Sequence, residues 1–180
     1  MLRFLILFLL MQMAFFSLEM LKPVQELVII PWTAFLADIS GWLMSMFDSQ
    51  VDTIGKIIRS TANGFAVSIE PGCNGVEAMI VLLAAILAFP APFLYKLQGL
   101  LWGFLAIQGM NLVRIISLFY LGQWSPLLFD WAHLYIWQAL IMLDALVVFL
   151  LWIRFMPQTP MPPTKHKSDN NGLAAMNSCA

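Results

Sequence analysis

Four apolar runs, each long enough or nearly long enough to cross a lipid bilayer, constrain the fold of this chain most. They cover residues 4–18, 74–89, 97–121 and 134–155. Crossing about 30 Å of hydrocarbon takes roughly 17–25 helical residues, so the run at 74–89 is short and is expected to extend into its flanks. Hydrophobic residues make up 61% of the chain and charged residues only 11%. We therefore predict an all-α integral membrane protein with about four transmembrane helices.

The same composition excludes two classes of protein. A water-soluble enzyme carries far more charge, and a nucleic-acid binder needs a basic surface that 9 basic against 10 acidic residues do not provide. The two cysteines, Cys73 and Cys179, are too few for a disulfide framework and too far apart for a zinc or redox pair. The sequence thus predicts no metal site and no cofactor.

The stretch at residues 24–47 allows two interpretations. It is apolar but contains Glu26, Pro31 and Asp38, and an aspartate at the centre of a lipid-facing helix costs about 2.5–3.5 kcal/mol. We prefer an amphipathic helix at the outer interface, and a fifth crossing stays open. After it, residues 48–71 are polar, and the alternating run FAVSIE predicts a short extramembrane hairpin.

Three segments follow from this pattern. Residues 1–22 are expected to form a retained N-terminal anchor helix, because bulky residues such as Leu18 stand where a signal peptide would need a small-residue cleavage site. Residues 23–155 form the membrane domain. Residues 156–180, with four of the chain's ten prolines, are expected to be a disordered cytoplasmic tail.

Basic residues set the expected orientation. Four crossings place five of them on one side and three on the other, and the richer side is cytoplasmic by the positive-inside rule. Cys73 and His133 then face the outside in both the four-span and the five-span arrangement. The basic residues of the cytoplasmic side are Arg3, Lys96, Arg154, Lys165 and Lys167, and those of the outer side are Lys22, Lys56 and Arg59.

Ionisable residues inside apolar runs are costly and indicate function. Arg114 belongs to a polar stripe with Gln108, Asn111 and Ser117, which recur every three residues and so share one helix face. His133 begins the last run. Asp144 lies about 16 Å further along that helix, too far to orient the imidazole, and is expected to serve packing.

Cys73 stands in the sequence EPGCNGVEAM, where Pro71–Gly72 predicts a turn and Asn74–Gly75 the start of a helix. A helix N-terminus lowers the pKa of a thiol, and its free N–H groups can hold an oxyanion. A buried structural cysteine or a lipidated one are the alternatives. Glu77, on the same helix face, is expected either to orient Arg114 or to act as the acid of the first turn.

A thiol, a base and a permanent cation at the outer ends of three different spans are what thiol-based acyl transfer requires. Within residues 33–152, the segments EPGCNGVEAMIVLLAAILAFP, NLVRIISLFYLG and FDWAHLYIWQ resemble the cysteine, arginine and histidine blocks of the exosortase/archaeosortase family of membrane transpeptidases. The short length, GCNGVEA and LFYLG are most similar to exosortase H.

The resemblance implies a nucleophile at Cys73, a cation beside the reacting group at Arg114 and a general acid/base at His133. Asn74, Gly75, Glu77 and Asn111 are expected to support them. It further implies a multi-pass protein of the bacterial inner membrane whose site faces outward. Its partners would be membrane-anchored, exported proteins with a C-terminal sorting signal, consisting of a motif, a transmembrane helix and a basic cluster, together with an unidentified acceptor nucleophile.

Two other functions remain open from the sequence. A protease would use the same residues with water as acceptor. A non-enzymatic transport or assembly subunit would use the Arg114 stripe to line a polar path, and would not need Cys73.

Overall fold

The computed structural model describes residues 2–155, which form five helices and a small sheet. Two helical turns, Gln25–Ile29 and Ala132–Ile136, are π-helical. The predicted tail at 156–180, with Cys179, lies outside the described residues. The helices are α1 (Leu2–Glu19), α2 (Lys22–Ser45), α3 (Val76–Ala88), α4 (Phe93–Trp124) and α5 (Pro126–Arg154), and the strands are β1 (Val51–Ile54), β2 (Ile57–Ser60) and β3 (Ala66–Ser68).

Four of the described helices, α1, α2, α4 and α5, are long and apolar enough to cross a membrane. The run expected at residues 74–89 is shorter than predicted, because its helix α3 has only 13 residues and therefore spans about 20 Å. Gly75, at a φ of 73°, precedes the helix, and extended backbone at Phe89 ends it. The flanks thus do not lengthen this helix.

The contacts of α1 fix which end of the bundle carries the Cys73 loop. Near its start, the Phe4 ring lies 5.9 Å from the ring of Phe89, at the far end of α3. Near its end, Phe16 lines a cavity together with Gly72 and Glu77. The helices α1 and α3 are therefore antiparallel, and α1 ends on the Cys73 side of the molecule.

Helix α2 begins beside the end of α1 and ends beside the sheet. It starts three residues after Glu19, and its last turn contributes Met44 to a cluster with Ile58 of β2 and Phe119 of α4. Its length and composition would allow a crossing, and the interfacial arrangement that we preferred from the sequence stays a prediction.

The extramembrane hairpin is present as β2 and β3, and the sequence missed a third strand. The order in the sheet is β1–β2–β3, with both pairs antiparallel. Ile58 pairs with Thr53 on one side and with Val67 on the other. This leaves β3 at one edge of the sheet, immediately before the Cys73 loop.

The buried apolar residues form two clusters, with a polar layer between them on α4. The sheet core contains Ile115 and Phe119 of α4, and the bundle core contains Ile107. Gln108, Asn111 and Arg114 lie between these positions and are all buried. The site is built at this boundary. The sheet core is Leu36, Ala37, Met44, Ile58, Ile69, Ile115 and Phe119, and the bundle core is Ala78, Leu82, Ile86, Ile107, Ile141, Ala145 and Trp152.

Candidate active site

The loop that carries Cys73 is a tight turn between β3 and α3. The Cys73 N–H donates to the Glu70 carbonyl oxygen at 2.9 Å. Gly72 adopts a φ of 88°, which a residue with a side chain rarely tolerates. The turn sequence therefore sets the direction in which the thiol points, and Cys73 is left half-buried.

The imidazole of His133 lies directly against this thiol. Cys73 Sγ and His133 Nε2 are 3.0 Å apart, although 60 residues separate them in the chain. His133 lies in the π-helical turn of α5, where the extra residue changes which side chains face the bundle. The ring of Phe129 lies beside the imidazole, with 5.6 Å between ring centroids.

Arg114 contacts the same sulfur from α4. Its Nη2 donates to Cys73 Sγ at 3.5 Å, and its Nη1 donates to the Gly72 carbonyl oxygen at 3.3 Å. The side chain is only 1% exposed, so it does not extend to the lipid headgroups. The structure thus brings together the three residues that the sequence predicted to be catalytic.

The expectation that the helix N-terminus lowers the pKa of the Cys73 thiol is wrong. Burial raises the pKa of the Cys73 thiol above its ordinary value, Arg114 opposes this, and the carboxylates of Glu77 and Glu70 raise the pKa further. The positive end of the α3 dipole does not reverse this increase in the pKa, because the helix begins only at Val76, three residues after Cys73. With the pKa above its ordinary value, the formation of a thiolate at neutral pH would need an adjacent base.

Asn74 and Gly75 shape the loop that carries the nucleophile. The Asn74 Oδ1 accepts the N–H of Val76 at 3.1 Å and so caps α3. Gly75 is left-handed, and a side chain there would meet the amide of Gln108 at 3.0 Å. Both residues therefore support the loop by packing and capping.

Two residues of α2 were missed by the sequence analysis. The Asn74 amide donates to Thr33 Oγ1 at 3.3 Å, and the Trp32 Nε1–H donates to the Asn74 carbonyl oxygen at 3.4 Å. Thr33 is a buried polar residue in an apolar stretch. A polar residue at such a position was the sequence feature that could have indicated its role.

Glu77 takes only one of its two expected roles. It is an acid in the first turn of α3, but within residues 2–155 it forms no ion pair with Arg114. It faces a cavity of about 230 Å³ that is also lined by Phe16 and Gln138. Its effect on the site is therefore electrostatic, through the thiol.

Asn111 lies one helical turn before Arg114 and is completely buried. Among residues 2–155, its Oδ1 and Nδ2 find no hydrogen-bond partner, and neither does Arg114 Nε. Buried polar groups without a partner cost about 1–3 kcal/mol each. The buried polar layer of α4 near Cys73 thus contains hydrogen-bond donors and an acceptor that are unpaired within the described residues. No group of three metal-ligating side chains is found in the described part of the chain.

Comparison with known proteins gives one result. Residues 1–153 match the transmembrane exosortase family, whereas no curated protein and no solved structure matches the chain significantly. The match covers the cysteine, arginine and histidine blocks together. The chain therefore belongs to the transmembrane exosortase family, as a multi-pass membrane protein.

Proposed function

We propose that the protein is a cysteine transpeptidase that cleaves C-terminal sorting signals of membrane-anchored, exported proteins. One observation carries this proposal: the His133 imidazole lies 3.0 Å and the Arg114 guanidinium 3.5 Å from the sulfur atom of Cys73. This is the arrangement of a nucleophile with its base and with a fixed positive charge. Membership of the exosortase family supports a transpeptidase role.

In the first half-reaction, His133 Nε2 takes the proton of the Cys73 thiol as Sγ attacks the substrate carbonyl carbon. Nε2 can accept this proton when the imidazole is neutral and carries its N–H proton on Nδ1. The Arg114 guanidinium stabilises the negative charge that forms beside it. His133 then gives its proton to the leaving amine, the peptide C–N bond breaks, and a thioester on Cys73 results.

In the second half-reaction, an acceptor with a nucleophilic N–H or O–H attacks the thioester carbonyl. His133 takes the acceptor's proton, the C–S bond breaks, and the proton returns to the sulfur. With water as acceptor the outcome is proteolysis, and with an amine or another hydroxyl it is transfer. The residues near Cys73 are the same in both cases.

The decisive test follows processing of a reporter in cells that lack the wild-type gene. The reporter is an epitope-tagged exported protein that ends in a sorting motif, an apolar helix and a basic cluster. Cys73→Ser and His133→Gln should each insert normally yet slow processing by at least about a hundredfold, while Cys179→Ser should process at the wild-type rate. Of these three variants, only Cys179→Ser should form a hydroxylamine-sensitive adduct with the reporter, as the wild type does.

Normal processing by Cys73→Ser would contradict the proposal. In that case the Arg114 layer would have to be explained by a transport or assembly role.

A further inference from the structure

The edge of the sheet at β3 has backbone groups that no strand uses. Ser60 N–H donates to the Phe65 carbonyl oxygen at 2.8 Å, and Ile69 N–H donates to the Lys56 carbonyl oxygen at 3.0 Å. Bonded and non-bonded pairs alternate in an antiparallel ladder. Ala66 and Ser68 therefore turn their N–H and C=O groups away from β2, and both residues are exposed.

This free edge lies on the side of the sheet opposite to the strand that contacts α2. Strand β1, on the opposite side of the sheet, is tied to α2 by the bond from Thr53 Oγ1 to Asp38 Oδ1 at 3.1 Å. Strand β3 is the strand farthest from that contact. A side chain at Gly122 of α4 would touch both Phe65, which precedes β3, and Phe129 of α5. The residue that precedes β3 and the start of α5 therefore pack against the same position of α4.

Both elements then lead to the nucleophile. From Phe65 the chain continues through β3 to Cys73, and from Phe129 helix α5 continues to His133, whose Nε2 is 3.0 Å from the sulfur. Gly122 is eight residues after Arg114 on α4, which corresponds to about 12 Å along this helix. Both elements therefore lead from the level of Gly122 to the reacting pair.

We propose that the free edge of β3 binds the substrate segment that precedes the scissile bond, as an added parallel strand. This inference rests on the proposed function. A membrane-anchored substrate enters the site from its extramembrane part and continues into its transmembrane helix, which is the direction in which β3 runs. Hydrogen bonds to the N–H and C=O groups of Ala66 and Ser68 hold the peptide extended.

The position of the scissile bond follows from the length of this path. Ser68 to Glu70 is two extended residues, and the Glu70–Cys73 turn adds less than about 7 Å. The substrate residue opposite Ser68 therefore lies about three or four residues before the bond that Cys73 attacks.

The first test removes the edge N–H groups without changing the pairing with β2. Ala66→Pro and Ser68→Pro should slow reporter processing at least tenfold, because proline cannot donate a hydrogen bond. The matched variants Ala66→Ser and Ser68→Ala keep the N–H and should process the reporter faster than the proline variants at the same positions. Labelling of Cys73 by iodoacetamide should be equal in all four variants, which checks that the site is intact.

The second test detects the bound strand directly and does not depend on how the proline variants fold. Ser68→Cys in a Cys73→Ser, Cys179→Ser background should form a disulfide with single cysteines placed in the reporter. The yield should peak about three or four residues before the cleavage site and alternate with a period of two. Ile54→Cys, on the exposed end of the opposite edge strand, is the control and should give background yield.

The outcomes are distinguishable. A reporter that the wild-type protein does not process overturns the proposed function. Normal processing by both proline variants, or equal disulfide yields from Ser68→Cys and Ile54→Cys, overturns the edge-binding proposal while leaving the transpeptidase intact.

Discussion

The surroundings of Cys73 change the pKa of its thiol in directions that differ from one neighbour to the next. Burial raises this pKa, Arg114 lowers it, and Glu77 and Glu70 raise it. Because the pKa lies above its ordinary value, the proposed reaction needs the imidazole at 3.0 Å as a base. The nearby charges then tune how easily the proton leaves.

Removing the charge of Glu77 and removing the charge of Arg114 should change the reactivity of the Cys73 thiol in opposite directions. Glu77→Gln removes a cause that raises the pKa of Cys73, so the thiolate fraction at neutral pH should grow and alkylation by iodoacetamide should become about twofold or more faster. Arg114→Gln removes the opposing cause, so alkylation should become slower and its pH profile should move to higher pH. The measurement is the rate of Cys73 labelling in a Cys179→Ser background between pH 6 and 10.

Asp52→Asn is the matched control, because Asp52 pairs with Arg59 on the sheet surface. An effect of this control as large as that of Glu77→Gln would mean that the labelling rate follows a general change in the protein. Slower labelling in Glu77→Gln would contradict the assigned electrostatic role.

At this scale the sequence indicates which residues lie together at the candidate site better than it indicates the pKa of the thiol. Arg114 and His133 could be predicted because an ionisable side chain in an apolar run is costly and therefore noticeable. The direction of the Cys73 pKa could not, because it depends on how deeply the loop is buried and on where α3 begins. The bond from Asn74 to Thr33 joins residues 41 positions apart, and no local pattern predicts it.

At the scale of elements, glycines on α4 set how closely the helices approach. A side chain at Gly99 would collide with Trp152 of α5, and one at Gly103 would collide with Leu82 of α3. This spacing of small residues therefore serves packing within the protein. Both contacts lie in the bundle core, on the side of the polar layer away from the sheet. They therefore fix α4 relative to α3, which follows Cys73, and to α5, which carries His133.

Enlarging Gly103 should loosen this packing. Gly103→Leu places a side chain where Leu82 lies, and overpacking of this kind costs about 1–3 kcal/mol. Gly109→Ala is the control, since a methyl group there meets nothing within 4 Å and should stabilise the helix by about 0.5–1 kcal/mol. The measurement is the fraction of detergent-solubilised protein that stays soluble after heating.

Equal heat sensitivity of Gly103→Leu and the wild type would show that α3 and α4 can separate at no cost. The glycine spacing would then have to be explained by a surface for another helix.

The elements themselves could be predicted from hydropathy, and their ends could not. The hairpin followed from the alternation in FAVSIE, but β1 was missed because the four residues VDTI carry no clear pattern. Helix α3 is shorter than its apolar run because Gly75 is left-handed and packs against Gln108. The π-helical turn at Ala132–Ile136, which places His133, has no recognisable signature in the sequence.

At the scale of the whole molecule, the length of α4 indicates how far the site lies from the opposite end of the helix bundle. Arg114 is 21 residues after Phe93, about 32 Å along the helix, which is close to the thickness of the hydrocarbon layer. The remaining ten residues to Trp124 extend about 15 Å further and carry the sheet core. The site therefore lies where a transmembrane helix would leave the bilayer, and its sheet lies beyond.

Which side of the membrane this is decides whether the proposed reaction is possible. We predict from the basic residues that the sheet and the start of α5 face the outside, while the loop between α3 and α4 faces the cytoplasm. Single cysteines test this at three exposed positions, in a Cys73→Ser, Cys179→Ser background. Ala62→Cys reports on the sheet, Leu127→Cys on the start of α5, and Pro92→Cys on the opposite end of the bundle.

A charged thiol reagent that does not cross membranes should label Ala62→Cys and Leu127→Cys in intact spheroplasts, and should label Pro92→Cys only after permeabilisation. The three positions are all exposed, so burial cannot produce this difference. The reverse pattern would place Cys73 on the cytoplasmic side. A peptidase acting on exported proteins could not reach its substrates from there, so the reverse pattern would overturn both the orientation and the sorting role, whereas the contacts among Cys73, Arg114 and His133 would still require an explanation.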